Sequence, residues 1–362
     1  MSTVTFFAKV LIMSTIANSI IKWYTQNKRD LPWRHTKDPY KIWLSEVMLQ
    51  QTRVQQGLPY YENFAATFPT ITDFANADEQ QILTMWQGLG YYSRARNMHT
   101  AAKQVVELHN GSFPHNYLDI IALKGVGEYT AAAIASFAFD LPYPVIDGNV
   151  YRVITRLFGI ADPINKPIGH RAVAEAVKEI FNSERPALFN QAIMEFGALQ
   201  CTPKKPKCEE CPLQPNCSAY ELDKIALLPY KEGKIKVTSI THSYFVIHYL
   251  DSTFIQQRTA GIWQNLHQFP LLEKELSNTE AIEACKNLIS NDISLTLGDN
   301  YTTTHLLSHR KISAHFYNIY ADKKPHFSKS DIFETLLEDI GIKYPTSVLM
   351  QKYLNQAISN DK

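Results

Sequence analysis

Four of the five cysteines fall together as Cys201-x6-Cys208-x2-Cys211-x5-Cys217. Four thiolates so close in sequence can close around one inorganic centre and fix a loop that has little core of its own. On chemistry alone, structural zinc and a [4Fe–4S] cluster serve equally well. The first gap, Thr202 to Lys207, sets Lys204, Lys205 and Lys207 on a proline-braced loop, which reads as a solvated charge run or, held rigid, as a phosphate contact. Two carboxylates stand out elsewhere. At helical spacing Glu46 shares a face with Ile42, Trp43, Leu49 and Gln50, and partly apolar surroundings favour the protonated form that a general acid needs. A glutamate at the edge of a surface helix would show the same pattern. Asp147 lies in Val145-Ile146-Asp147-Gly148-Asn149-Val150, just ahead of an amphipathic stretch, where it serves as a helix N-cap or as a second reacting carboxylate.

The elements that must position these groups are helical. From residue 14 to about 228, segments with apolar residues at i, i+3 and i+4 alternate with short Gly, Pro, Asn and Asp breaks. Asp38-Pro39 opens the Glu46 helix as cap and first-turn proline. A second helix starts at Asn116 and runs into Leu123-Lys124-Gly125-Val126-Gly127, and an alanine-rich helix follows from Glu128 to about Phe139. Gly125 and Gly127 permit a tight hairpin whose following N–H groups point at an anion, although a plain helix–helix turn would look alike. After Leu228 the character changes. Pro229 to Lys236 is short, polar and basic. Beyond it Ser243–Leu250 and Ala314–Tyr320 are β-rich, with one helical stretch near Thr279–Ile289. The organisation read from this is an extension over 1–13, a helical domain over 14–228 with the cysteine loop at 201–217, a linker over 229–237 and an α+β domain over 238–362.

Bulk properties exclude several classes. With 362 residues, 45% hydrophobic and 20% charged, the chain has the balance of an ordinary globular protein. A net charge of +1 gives no global attraction to nucleic acid, so any phosphate affinity must come from local basic loops and backbone N–H groups. An odd cysteine count and tight clustering oppose a secreted disulfide framework. The apolar stretch Phe6–Ile16 is too short to span a membrane and reads as a frayed end or an upstream start, with Met13 a second start site.

In order, Leu31-Pro32-Trp33-Arg34, Glu46-Val47-Met48-Leu49-Gln50-Gln51-Thr52, Gly88-Leu89-Gly90-Tyr91-Tyr92-Ser93-Arg94, Gly125-Val126-Gly127, Asp147-Gly148-Asn149 and the cysteine quartet resemble the adenine DNA glycosylases, a branch of the helix-hairpin-helix glycosylases. The resemblance spans nearly all of 14–228. It implies an all-α helix-hairpin-helix core with an iron–sulfur loop, a [4Fe–4S] cluster on Cys201, Cys208, Cys211 and Cys217, and a C-terminal α+β domain similar to the Nudix fold. The expected substrate is double-stranded DNA carrying adenine opposite 8-oxoguanine or guanine, met by a cytoplasmic, nucleoid-associated monomer.

The same resemblance distributes roles. The adenine is flipped out of the duplex, with Gln51, Leu89 and Tyr91 filling or wedging the gap. Glu46 protonates adenine N7, and Asp147 stabilises the developing oxocarbenium ion. Tyr129 and Asn149 orient these groups and water, Arg34 and Gln191 belong to the base pocket, and Lys204 and Lys205 face phosphates. Endonuclease III-like relatives carry a Schiff-base lysine two residues after the second hairpin glycine. Tyr129 stands there, so a glycosylase without lyase activity is implied. Lys124 departs from the usual proline. In the back domain no glutamate cluster able to bind magnesium follows Gly261, which points to base recognition rather than nucleotide hydrolysis. Leu307-Ser308-His309 resembles the family's Phe-Ser-His loop for 8-oxoguanine, with Leu307 in place of the aromatic residue. The competing readings are a bifunctional pyrimidine-lesion glycosylase, opposed by Tyr129, a non-catalytic DNA-binding module, opposed by the presence of both carboxylates, and a free Nudix pyrophosphatase, opposed by the missing glutamates.

Overall fold

The computed structural model describes residues 3–233 and 237–360. The chain divides into two compact units. One comprises Met1–Ala75 with Thr100–Gly233, and the other Asn76–His99 with Lys234–Lys362.

The first unit is built of helices, as the periodicity predicts. Asp38 caps the helix Pro39–Met48 by accepting from the Tyr40 amide at 2.9 Å, and Asn116 caps Tyr117–Ala122 through the Asp119 amide at 2.9 Å. The Glu46 helix stops at Met48, so Gln50 lies just past its end. Backbone helix runs without interruption over Thr3–Asn27, where the sequence suggested a frayed end. Its Ile20 and Tyr24 pack into a core with Val153 and Ile154 of the helix Gly148–Phe158 and with Phe189, Ile193 and Phe196 of the helix Pro186–Leu199. That three-way packing holds the start of the Gly148–Phe158 helix in place. Among the described residues no helix is long and apolar enough to cross a membrane.

The second unit is a mixed sheet between two helices. Thr238–Tyr249 lies parallel to Arg310–Ala321 at its centre, with the remaining strand pairs antiparallel. Successive side chains of a strand face opposite ways. Tyr244 and Val246 accordingly meet Leu349, Met350 and Tyr353 of the helix Val348–Asn360, while Phe245 and Ile247 meet Ala281 and Cys285 of the helix Asn278–Lys286. A Ser277/Glu280 capping box opens the latter helix, which falls within a residue of the start of the stretch predicted near Thr279–Ile289 and ends three residues sooner. Lys234, Ile235 and Lys236, part of the expected linker, lie outside the described residues.

The segment Asn76–His99 is tied into this unit by side-chain to backbone bonds. The Gln87 amide donates to Gly341 O at 2.7 Å and accepts from the Thr346 N–H at 2.6 Å. The Tyr92 hydroxyl donates to Thr346 O at 3.0 Å, and Arg96 donates to Gln264 O at 2.8 Å. A stretch from the chain's first third thus shares its packing with the last.

Candidate active site

Glu46, Tyr129, Asp147, Asn149, Arg34 and Gln191 line one cavity of about 910 Å³ in the first unit. Glu46 is 7% exposed. Burial pushes its carboxyl up to about 7, with the Asp147 charge adding to the rise while the Tyr129 hydroxyl and Arg34 oppose it. The Tyr129 hydroxyl donates directly to Glu46 Oε2. Burial and the two neighbouring carboxylates drive the phenol's own pKa well above the usual tyrosine value, so it remains a donor.

Asp147 is an N-cap, and it is also in the cavity. One oxygen accepts from the amides of Asn149 (2.9 Å) and Val150 (2.8 Å), and the other from the Asn149 side chain at 2.6 Å. Burial raises its pKa, while those hydrogen bonds and Arg152 pull it back. The capping role weighed from the sequence is present, and the same side chain lines the cavity beside Glu46.

Sequence reasoning missed Glu195, Arg29 and Arg152. Glu195 is 1% exposed and grips both arginines. Arg29 donates from Nε at 2.9 Å and from its backbone N–H at 2.9 Å, and Arg34 donates at 3.0 and 2.7 Å. Burial alone would raise the Glu195 carboxyl, but the bonds from Arg29 and Arg34 overcome it and hold the pKa at about 2. Arg34 is thereby fixed beside the cavity, 5.5 Å from the Tyr24 ring, whose hydroxyl donates to Gln191 Oε1 at 2.8 Å. The available signal was Glu195 following Gln191 by one helical turn on a largely apolar helix. Arg152 donates to Asn149 Oδ1 at 2.9 Å, to Gly197 O at 2.5 Å and to Cys201 O at 2.6 Å. It joins the Asp147–Asn149 pair to the first cysteine.

The cysteine loop suits a thiolate-bound cluster. Burial raises the Cys211 thiol to about 11 and also raises those of Cys208 and Cys217, with the neighbouring thiols adding to each rise. Four thiols so placed need a cationic centre to hold them ionised. Among the described residues no group of three or more His, Cys, Asp or Glu is set to hold a single metal ion. Arg156 braces the loop, with Nη1 3.4 Å from Cys201 Sγ and 2.8 Å from Thr202 O. Lys204 and Lys205 are both exposed, and Lys205 has φ 50°.

At the hairpin Gly125 has φ 75°, which demands glycine, and the Val126 amide closes the turn on Leu123 O at 3.1 Å. Gly127 caps the helix Glu128–Phe139, and a Cβ there would meet nothing within 4 Å, leaving its backbone open to approach. Gln51 is exposed with φ 57° beyond the Glu46 helix. In the second unit Tyr91 is 46% exposed with φ 49°, and its hydroxyl lies 2.5 Å from Ser308 Oγ. Leu89, expected in the same role, is 6% exposed. Ser308 and His309 are exposed in a turn closed by Leu307 N–H donating to Arg310 O at 2.8 Å. Leu307 packs against the Tyr244–Phe316 core.

A helical scaffold with a glycine hairpin, a buried carboxylate pair and a cysteine-bound loop defines a helix-hairpin-helix DNA glycosylase with an iron–sulfur cluster. Residues 44–182 match the HhH-GPD superfamily of base excision DNA repair proteins, and residues 201–217 match the iron-sulfur binding domain of endonuclease III. A thermostable thymine-DNA glycosylase of known structure is 32% identical with a TM-score of 0.54, over 58% of this chain and 97% of that one. The adenine DNA glycosylase of Buchnera aphidicola subsp. Schizaphis graminum is 37% identical over 75% of this chain and 79% of its own length. That of Buchnera aphidicola subsp. Baizongia pistaciae is 39% identical over 70% and 72%. The human adenine DNA glycosylase is 40% identical over 59% of this chain and 41% of its own. The chain belongs to the adenine DNA glycosylase family.

Proposed function

We propose that the protein hydrolyses the N-glycosidic bond of adenine mispaired with 8-oxoguanine or guanine, without cleaving the strand. The observation that carries this is the pairing of Glu46 with Tyr129. The cavity supplies a carboxyl that is still half protonated near pH 7, and a phenol stands where strand cleavage would need an amine.

Adenine extruded from the duplex enters the cavity of the first unit. Glu46 gives its proton to N7, which makes the base a neutral leaving group. As the bond to C1′ weakens, positive charge spreads over the sugar, and the Asp147 carboxylate stabilises it. Water adds at C1′ and its proton returns to the carboxylate pair. Asn149 holds Asp147 through the 2.6 Å bond, and the Glu195 clamp keeps the Arg34 guanidinium at the base. Cys201, Cys208, Cys211 and Cys217 would hold the [4Fe–4S] cluster, which supplies a structural cross-link that steadies the loop carrying Lys204 and Lys205 against phosphates. Gln51 and Tyr91, both exposed, each offer a side chain to the opened stack, whereas Leu89, 6% exposed, is packed away and is not assigned that role. The C-terminal unit, read as Nudix-like, presents Ser308 and His309 to the 8-oxoguanine left behind.

Incubation with A:8-oxoguanine, A:G and thymine-glycol duplexes, with and without alkaline work-up, tests the proposal. Breaks appearing only after alkali, and only in the adenine duplexes, are expected. Strand-nicked product trapped by borohydride at a comparable rate would overturn it.

A further inference from the structure

The loop Gly88–Tyr91 is an improbable backbone. Gly88, Gly90 and Tyr91 have φ of 95°, 72° and 49°, and a tyrosine in the left-handed region is strained. Such a conformation persists only where the surroundings over-determine it. Here one side chain touches nearly every part of the loop. Arg94, 9% exposed, is the second residue of the helix that follows, Ser93–His109. Its Nη2 donates to Leu89 O at 3.3 Å and Gly90 O at 3.1 Å. Its guanidinium carbon lies 5.2 Å from the Trp86 ring and 5.6 Å from the Tyr91 ring, within range for cation–π attraction. Trp86 closes the arrangement by donating from Nε1 to Gly90 O at 3.0 Å. The cost of burying this charge is visible in an Arg94 pKa lowered to about 10. A buried cation between two aromatic rings is a costly way to stabilise an ordinary turn, and here the planar guanidinium lies near both rings while a single nitrogen reaches both carbonyls.

We propose that Arg94 is a positioning residue for base extrusion. It holds the Tyr91 ring out toward solvent, where its hydroxyl meets Ser308, so that Tyr91 arrives at the duplex already in its inserting conformation. The benefit is preorganisation: the strain of the loop is met on folding rather than at the moment the base leaves the stack. The inference rests on the reading of Tyr91 as a wedge, and the experiment separates the two.

Single-turnover excision at saturating enzyme is measured on an intact A:8-oxoguanine duplex and on one whose adenine still faces 8-oxoguanine but adjoins a one-nucleotide gap in its own strand, so that it is already poorly stacked. Arg94→Met, which keeps bulk but removes charge and donors, is expected to slow the intact duplex about 10- to 100-fold and the gapped one less than about threefold. Arg94→Lys should recover part of the rate, since its charge still reaches the rings. Tyr91→Ala tests the wedge itself, and the double variant should be no slower than Tyr91→Ala alone. An unchanged rate for Arg94→Met, or an equal loss on both duplexes, overturns the positioning role. If Tyr91→Ala excises normally from the intact duplex, the wedge reading fails instead. Should Arg94→Met not fold, by thermal midpoint and cluster absorbance, Arg94→Lys carries the same comparison: a loss confined to the intact duplex supports the role, and an equal or absent loss rejects it.

Discussion

At the scale of single residues, the site trades stability for chemistry, and Glu46 shows it most clearly. A carboxyl raised from 4.5 to about 7 by burial is protonated in both folded and unfolded chains below pH 4.5. As pH rises toward 7 the unfolded chain ionises freely while the folded one resists, so stability is lost across that window. The loss is on the order of 3 kcal/mol at pH 8. Glu46→Gln is therefore expected to abolish adenine release while raising the thermal midpoint at pH 8, with the gain vanishing near pH 4.5. The wild-type single-turnover rate should fall about tenfold per pH unit above 7 as the proton donor disappears. A pH-independent rate from 6 to 9 would remove Glu46 from the acid role. Asp147→Asn separates cap from catalyst. The amide can still accept one backbone bond, so a cost of about 1 kcal/mol is expected, with excision lost far beyond what that instability explains. A destabilised but active variant would leave Asp147 as a cap alone.

At the scale of elements, the site depends on how closely the helices Gly148–Phe158 and Pro186–Leu199 approach. A Cβ on Gly197 would stand 2.7 Å from Asn149 Cβ and 2.8 Å from Asn149 O. Backbone cannot swing aside as a side-chain tip can, so Gly197→Ala must push the Asp147–Asn149 turn away from the cavity. The expected result is a loss of roughly 1–3 kcal/mol together with a fall in excision of at least tenfold, read by melting and by single-turnover kinetics. Full activity would show that the turn tolerates displacement. Much of this architecture was legible in the sequence. The Asp38-Pro39 and Asn116 starts, the Gly125 turn and the Ser277 helix are local signals, each written within a few residues. The Glu195 clamp was not, because its partners lie 161 and 166 residues away and no local pattern encodes such a pairing. Gly197 likewise looks like any small residue in an apolar helix until its neighbour is known.

At the scale of the molecule, near-neutral net charge makes DNA affinity a matter of a few placed cations. If Lys204 and Lys205 each neutralise one phosphate, the Lys204→Ala/Lys205→Ala variant should lower the slope of log K against log salt by close to two. It should bind adenine-containing and undamaged duplexes equally less well. An unchanged slope in a binding titration would return the pair to the solvated charge run that the sequence also allowed. The division of the chain into two units was less legible, because composition changes once, after Leu228, whereas packing also reassigns Asn76–His99.

That reassignment has a bearing on how the protein is made. Gln87 finds its backbone partners 254 and 259 residues later, at Gly341 and Thr346. On a ribosome adding ~5–20 residues per second, this segment waits roughly 10–50 s for its partner to be synthesised. During that interval the Tyr91 loop exists on a nascent chain from which Glu46 and Asp147 have already emerged. A chain that stalls before Gly341 would thus carry both cavity carboxylates, Glu46 and Asp147, without the residues that seat the segment holding Tyr91. Synthesis of the stretch that holds Gly341 and Thr346 is, in this sense, a late step in assembling the second unit.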